Sequence, residues 1–484
     1  MGKLLPDLVK CALAMIAIAG CAPEPAPTTS GAAVGLLGPE GNPDGGPAPI
    51  ALLPGAPPAP IDPCSRLPPA PTGSAPPVPA PNTIDLGATP DNVRAILEEY
   101  HAHNPCVTEL HDLGTTHQGR PILALAIGRG AGDRKKPAAL LNGAHHGNEP
   151  LSATFVLDAI RHLLSRQGQD AQVDRWLDEF TIWCVPMVNP DGLNHFRVTK
   201  RSGRKNGRDN DGDGKHEPDE GVDLNRNYPF RWGALREGGS SSRMTQRSYR
   251  GPSAASEPET QAMIRLAESE RFVAAISYHV GTAVVIAPYT IDHVVNPTPN
   301  EAWTVAAELA RQMPPHPDVP KSQPFQLIRK LYSVDGTDQD WHRAMHGTVA
   351  LLIEGAGRAV AASELRAGAV TSIRSTWMYL LDRYLDGPAI EGRITDTEGR
   401  PIVAEVQFAE IRMAQGESWT SRCRDGLYSR YLSAPGRYTV IVKAEGAAPV
   451  ERVVEVGAGR MRVDFEIAGA TKGPAACPSI TPPR

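Results

Sequence analysis

The stretch "NGAHHGNEPLSA", residues 142–153, sets two adjacent histidines after a small-residue turn, with a glutamate just beyond them. His146 stands three positions before Glu149 and His145 four. Either pair, at a strand end, can bring an imidazole and a carboxylate to one zinc ion. Catalytic zinc often takes two histidines and one carboxylate and leaves a position for water. The motif alone is weak: 14 histidines and a glutamate frequency of about 6% give about 0.8 chance matches. Spacing does not choose between His145 and His146, and the chemistry needs a third ligand and an acid–base group.

A second acidic stretch, "DNDGDGKHEPDE" at residues 209–220, has the spacing of a calcium-binding loop. Asp209, Asp211 and Asp213 precede a glycine turn at Gly214, and Glu220 falls where a bidentate ligand would close the loop. No amphipathic helices flank it, and His216 occupies the usually apolar eighth position. The pattern suggests a structural calcium ion that orders the insert, against the alternative of a solvated acidic loop, and argues against a calcium sensor.

Further along stand "VPMVNPDG", "GVDLNRNYP", "SEPET", "SYHVGTAVVIAPY" and "YSVDGTDQDWHRAMHGTVALLIEG". Together with "HGNE", in this order and over roughly residues 90–386, they resemble the zinc carboxypeptidase family that includes carboxypeptidases A, B and N/E. "HGNE" is similar to the N/E version. The resemblance implies His146, Glu149 and His279 as zinc ligands, with His145 pointing elsewhere. It implies Glu354 as the acid–base group, assisting attack of a zinc-bound water and returning the proton to the leaving amine. A carboxylate ending an apolar strand is costly to ionise, which fits a base with a raised pKa. Arg226 with Asn225 would clamp the substrate's C-terminal carboxylate, since a planar guanidinium grips carboxylate in bidentate fashion. Tyr332 would close over it. Arg204, among Arg197, Lys200 and Arg201, would stabilise the oxyanion.

For the pocket, the N/E branch places an acid eleven positions after the third ligand, and here that position is Thr290. Asp292 lies two further on, and Gln339 matches the N/E pattern. Basic C-terminal residues are the expectation. The implied activity is hydrolysis of the C-terminal peptide bond of peptides or proteins. Other readings are a family member trimming peptidoglycan peptides, an inactive peptide- or surface-binding protein, and a hydrolase of the related deacylase branch. The "NRN" clamp and the Tyr332-to-Glu354 segment favour the peptidase.

These residues need a scaffold. "NVRAILEEYHAH" after Thr89-Pro90-Asp91 reads as a capped helix, and "ILALAI" and "PAALLNGAH" as strands. "LSATFVLDAIRHLLSR" has helical periodicity, "TIWCVPMV" is a buried strand, and "SEPETQAMIRLAESE" is a helix opened by Ser256. "FVAAISYHV" and "TVALLIE" are strands, and "LRAGAVTSIRSTWMYLLDRYL" is a long final helix. The near-continuous apolar strands argue for an α/β fold covered on both faces, and the family resemblance implies a mixed eight-stranded sheet. After Gly387 short alternating strands with Gly turns indicate a small all-β sandwich. "GRITDTEGRPI" and "PGRYTV" there resemble the transthyretin-like domain of the N/E branch.

The ends of the chain complete the plan. "CALAMIAIA" is an apolar run too short to span a bilayer, and "IAGC" resembles a lipobox with lipid on Cys21. Ala22 after that cysteine points to the outer rather than the inner membrane of a Gram-negative envelope. The expected divisions are a signal peptide over 1–20, a Pro/Ala/Gly-rich tether over 21–83, a catalytic domain over 84–387, the sandwich over 388–470 and a flexible tail over 471–484. The expected protein is therefore exported, anchored to the cell envelope through Cys21, and monomeric. A formal charge of −5 without a basic run excludes nucleic acid as a partner. Export permits disulfides, and Cys64 with Cys106 and Cys423 with Cys477 would each staple one region, leaving Cys184 in the core.

Overall fold

The computed structural model describes residues 89–130, 135–296, 300–314, 325–357, 363–414, 416–471 and 476–481. The expected signal and tether, with Cys21 and Cys64, lie outside them. Helix α1 (Pro90–His103) opens as its sequence demands: the Thr89 hydroxyl accepts the Asn92 N–H at 3.0 Å and Pro90 takes the first position.

An eight-stranded sheet follows, built from β1 (Thr108–Thr115), β2 (Pro121–Ile127), β3 (Ala138–Gly143), β4 (Thr181–Val185), β5 (Ala274–Gly281), β6 (Ala283–Ile286), β7 (Gln326–Ile328) and β8 (Val349–Gly357). Their spatial order is β1-β2-β4-β3-β5-β8-β6-β7. The middle four strands, β4, β3, β5 and β8, run parallel, while β1–β2, β2–β4 and β6–β8 pair antiparallel. Every residue of β3 and β4 is buried, the physical reason for their unbroken apolar runs. One face is covered by α2 (Pro150–Arg166) and α8 (Ser363–Asp386), which bring Phe155, Leu163 and Trp377 into the larger core. The other is covered by α5 (Pro258–Glu270) and α7 (Asp338–His346), which contribute Met263, Leu266 and Trp341. The remaining helices are α3 (Ala171–Glu179), α4 (Pro190–Thr199) and α6 (Glu301–Gln312). Among the described residues no helix is long and apolar enough to cross a membrane.

The C-terminal strands are β9 (Ala389–Thr395), β10 (Ala404–Phe408), β11 (Leu427–Tyr431), β12 (Gly436–Ala444), β13 (Val450–Val456), β14 (Arg460–Arg462) and β15 (Phe465–Glu466). They form two small sheets around a core of their own that includes Ile394, Val406, Phe408, Val440 and Phe465. This sandwich is docked on the larger sheet's α7. The Trp419 indole N–H donates to the Arg343 carbonyl at 3.2 Å, and the Arg343 guanidinium lies 4.6 Å over the indole ring. Ser418 N–H donates to Ala344 O at 3.1 Å, and Glu417 accepts the Tyr289 hydroxyl.

Cys423 and Cys477 are joined in a disulfide, and Cys184 is buried and free. Cys106 is also disulfide-bonded. The tail expected to be loose is held down where it is described: Cys477 is bonded and Ile480 is buried in the second core cluster.

Candidate active site

Three adjacent parallel strands bring the chemistry together. In open α/β sheets the carboxyl ends of such strands form the crevice where ligands bind. β3 ends at Gly143, and the chain then turns through Ala144, whose φ of 53° is left-handed. The Ser152 hydroxyl holds that turn by accepting the Ala144 N–H at 2.9 Å. Gly147 lies flat against the start of α4, where a Cβ would come within 2.0 Å of Leu193 N, so no side chain fits.

The two histidines then part company. His145 is buried against the Tyr228 hydroxyl (2.9 Å) and Ser277 Oγ (3.3 Å), and burial pushes its pKa down to about 4. His146 turns its Nδ1 to Glu149 Oε1 at 3.0 Å. His279, on β5, puts its Nδ1 3.0 Å from Glu149 Oε2 and 3.1 Å from His146 Nδ1. All three residues are buried, at 4%, 7% and 1% exposure. Glu149 begins α2 without capping it, because its carboxylate is committed to the two rings and to Val280 N–H.

This donor set fits zinc. Tetrahedral coordination with Zn–N of about 2.0–2.1 Å separates two ligand nitrogens by about 3.3 Å, close to the separation found between the two Nδ1 atoms. His146 is set up for it by its other nitrogen: Nε2 lies 3.1 Å from Asp223 Oδ1, and as the donor there it leaves the Nδ1 lone pair facing the cluster. Asp223 has no role legible in the sequence. It lies within "GVDLNRN", but nothing local marks it as the partner of a histidine 77 positions away.

Glu354 stands on β8 in direct register with His279 on β5. It is half-buried within the strand rather than at its end. Its carboxylate reaches over Gly281, where an added Cβ would lie 2.9 Å from Oε2. Arg204 donates from Nε and Nη2 to Asp223 Oδ2 at 2.9 and 2.8 Å, leaving Nη1 at 3.1 Å from His146 Nδ1. Arg226 is 4% exposed, and among the described residues no carboxylate is ion-paired with it. It donates to Gly239 O at 3.1 Å and to the Tyr332 hydroxyl at 2.8 Å. Tyr332 itself is 55% exposed, and the Asn225 side chain accepts the Asp338 N–H that opens α7. His146, Glu149, Arg204, Asn225, Arg226, His279, Tyr332, Gln339 and Glu354 all line one pocket.

The calcium loop is only partly assembled. Asp209, Asp211 and Asp213 bring carboxylate oxygens within reach of one ion. Glu220 does not join them: its Oε1 accepts the N–H groups of Asn210 (2.8 Å) and Asp211 (3.3 Å), and its Oε2 that of Glu217 (2.9 Å). Backbone donors of the loop itself have taken the carboxylate expected to complete the site, and nothing else supports calcium.

The zinc carboxypeptidase family model matches residues 93–367, more than half of the chain. The chain belongs to the zinc carboxypeptidase family. This member is 30% identical over 241 residues to metallocarboxypeptidase A of Arthroderma otae, covering 48% of this chain and 55% of that one. It is 27% identical over 202 residues to human carboxypeptidase B, covering 41% and 46%. The chain thus spans about half the length of the curated relatives it matches. Among solved structures, carboxypeptidase A from Helicoverpa armigera superposes with a TM-score of 0.52 at 22% identity, covering 60% of this chain and 71% of that one. Bovine thrombin-activatable fibrinolysis inhibitor, solved with a tick carboxypeptidase inhibitor, gives 0.52 at 19%, covering 61% and 96%. These two likenesses establish the fold, and family membership implies zinc.

Proposed function

We propose that this protein is a zinc-dependent carboxypeptidase that removes the last residue of peptides or proteins outside the cytoplasm. The observation that carries the reading is the meeting of His146, Glu149 and His279 with Glu354 and Arg226 around a single pocket. Bound by the three ligands, zinc would supply Lewis-acid polarisation of the scissile carbonyl and activation of water.

The chain's own residues do the rest. Arg226, a buried guanidinium without a paired carboxylate among the described residues, receives the substrate's terminal carboxylate. Asn225 lies beside it, and the exposed Tyr332 ring, already on the Arg226 guanidinium, closes over the bound end. Such anchoring holds the last peptide bond in register with Glu354. Glu354 takes a proton from the attacking water and hands it to the leaving amine. Arg204, steadied by Asp223, turns its Nη1 toward the carbonyl oxygen as negative charge grows there.

For placement, "IAGC" supports a lipid on Cys21 and hence the cell envelope. For the second domain, two packed sheets of short strands support a transthyretin-like sandwich as in the N/E branch.

The test is a panel of peptides differing only in their last residue, incubated with and without a zinc chelator. Release of one C-terminal residue, lost on chelation, is the expected result. Glu354→Gln should keep its zinc and lose about 10²–10⁴-fold in kcat. A fully active Glu354→Gln would remove Glu354 from its role, and activity indifferent to chelation would remove zinc.

A further inference from the structure

The wall of the pocket beyond the zinc ligands, Glu354 and the two arginines holds a single remaining charged group among the described residues, and it is a cation, Lys330. The polar groups beside it are Thr290, Thr337 and Gln339, and Ile286 and Leu352 supply apolar surface. The two nearby acids are both committed elsewhere. Asp340 does not line the pocket: it is 2% exposed and takes the Thr290 hydroxyl at 2.8 Å and the Thr290 N–H at 2.9 Å. Asp292 does not line it either and is ion-paired with the Lys330 ammonium. Meanwhile Gln339, 2% exposed, has a side-chain oxygen without a hydrogen-bond partner among the described residues. Buried polar groups left unpaired are costly and are satisfied by what enters the pocket.

We propose that this pocket accepts neutral C-terminal residues, with the carboxamides of glutamine and asparagine the best matched, and rejects lysine and arginine, the Lys330–Asp292 ion pair being the determinant. The inference rests on the carboxypeptidase reading and replaces the basic preference expected from sequence. A carboxamide offers N–H to the Gln339 oxygen and a carbonyl to the Lys330 ammonium. A cationic side chain would bring a second ammonium beside Lys330, where the one carboxylate at hand already serves Lys330. Asp292 cannot offset this while its carboxylate is held by Lys330.

The experiment uses the full chain loaded with zinc and peptides ending in Gln, Asn, Leu, Lys or Arg. In the wild type, kcat/KM for Gln should exceed that for Lys by about 10²-fold or more. Lys330→Met removes the opposing charge and frees Asp292, so the Lys-to-Leu ratio of kcat/KM should rise at least about tenfold. Adding Asp292→Asn should reverse most of that gain, and Lys330→Gln serves as a second variant with a polar stem. Binding is read independently of turnover by calorimetry of free glutamine and free lysine on Glu354→Gln, where glutamine should bind more tightly. A wild type that prefers Lys or Arg, or a Lys330→Met whose ratio does not move, overturns the proposal while leaving carboxypeptidase activity intact. If no peptide loses a residue, the carboxypeptidase reading fails, and the calorimetry alone then decides what the pocket selects.

Discussion

Asp223→Asn is the sharpest probe of how the metal ligands are held. Asp223 is fully buried and serves three partners: Oδ1 accepts from His146 Nε2 and from Asn225 N–H, both at 3.1 Å, and Oδ2 accepts from Arg204. Burial alone would raise its pKa, but Arg204, Arg226 and His146 hold it well below the ordinary carboxylate range, so it is anionic. In the variant one oxygen becomes an amide donor, and with every neighbour a donor it must oppose either His146 or Arg204. Opposing His146 moves the ring proton to Nδ1, the nitrogen the metal needs. Loss of such an orienting partner costs about 10–100-fold in metal affinity, or about 1.4–2.7 kcal/mol. Breaking a buried pair costs about 3–5 kcal/mol, and the 13% exposure of the Arg204 side chain puts the folding penalty at the low end of that range. Zinc affinity is measured by competition with a chromophoric chelator, and stability by thermal unfolding with and without zinc. Arg204→Met separates the causes: it leaves the His146–Asp223 contact in place and removes a cation from beside the metal, so zinc affinity should hold or rise. Unchanged zinc affinity in Asp223→Asn, or an equal loss in Arg204→Met, would refute the orienting role.

Two further predictions concern the pocket wall. Burial pushes the Asp340 carboxyl up to about 6, against the opposing pull of its Thr290 hydrogen bonds. Its folded pKa thus lies above the unfolded value of about 3.9, so the stability it allows is full below about pH 4 and is lost as pH rises through about 6. The loss amounts to about 3 kcal/mol. Asp340→Asn should lack that decline in urea unfolding between pH 4 and pH 7, and parallel profiles for the two proteins would dismiss the idea. Glu417 accepts the hydroxyl of Tyr289, one residue before the pocket's Thr290, and faces Arg343 Nε at 3.4 Å. Glu417→Gln should cost about 1–3 kcal/mol of stability and raise KM more than it lowers kcat; an unmoved KM would deny the sandwich any hold on the pocket.

What was legible in the sequence follows from where each residue gets its information. The central strands could be read because burial on both faces leaves no polar positions, and the candidate metal triad only through the family resemblance, since spacing alone left His145 and His146 open. α4 went unread because "NPDG" looks like a turn, yet the Asn189 side chain caps a helix there and Pro190 takes its first position. Ser256 was expected to open α5, but its hydroxyl donates to Glu257 Oε1, and Glu257 stands at the cap without a side-chain cap bond. Strand β1 hid behind mixed burial and a register irregularity between Asp112 and Thr115. Asp223 and Lys330 meet partners 77 and 38 positions away in the chain, so those pairings exist only in the folded arrangement. The acid sought at Thr290 is present beneath it as Asp340, hydrogen-bonded to the threonine instead of facing the substrate.

One helix ties the site to the second domain. α7 has nine residues, about 13 Å of helix at 1.5 Å each. Its N-terminal turn supplies Gln339 to the pocket and Asp340 beneath it, and its opening N–H is held by Asn225, the neighbour of Arg226. Its other end is gripped by the sandwich through Arg343, Ala344 and Trp419, and Arg343 is balanced between Glu301 and Glu417. A buried polar wall such as Thr290–Gln339–Asp340 is stable only when every partner keeps its place, because each lost hydrogen bond exposes a desolvated group. Clamping the helix at both ends meets that requirement. The β-sandwich therefore supplies no visible chemistry, yet it grips the same helix that carries Gln339 to the pocket.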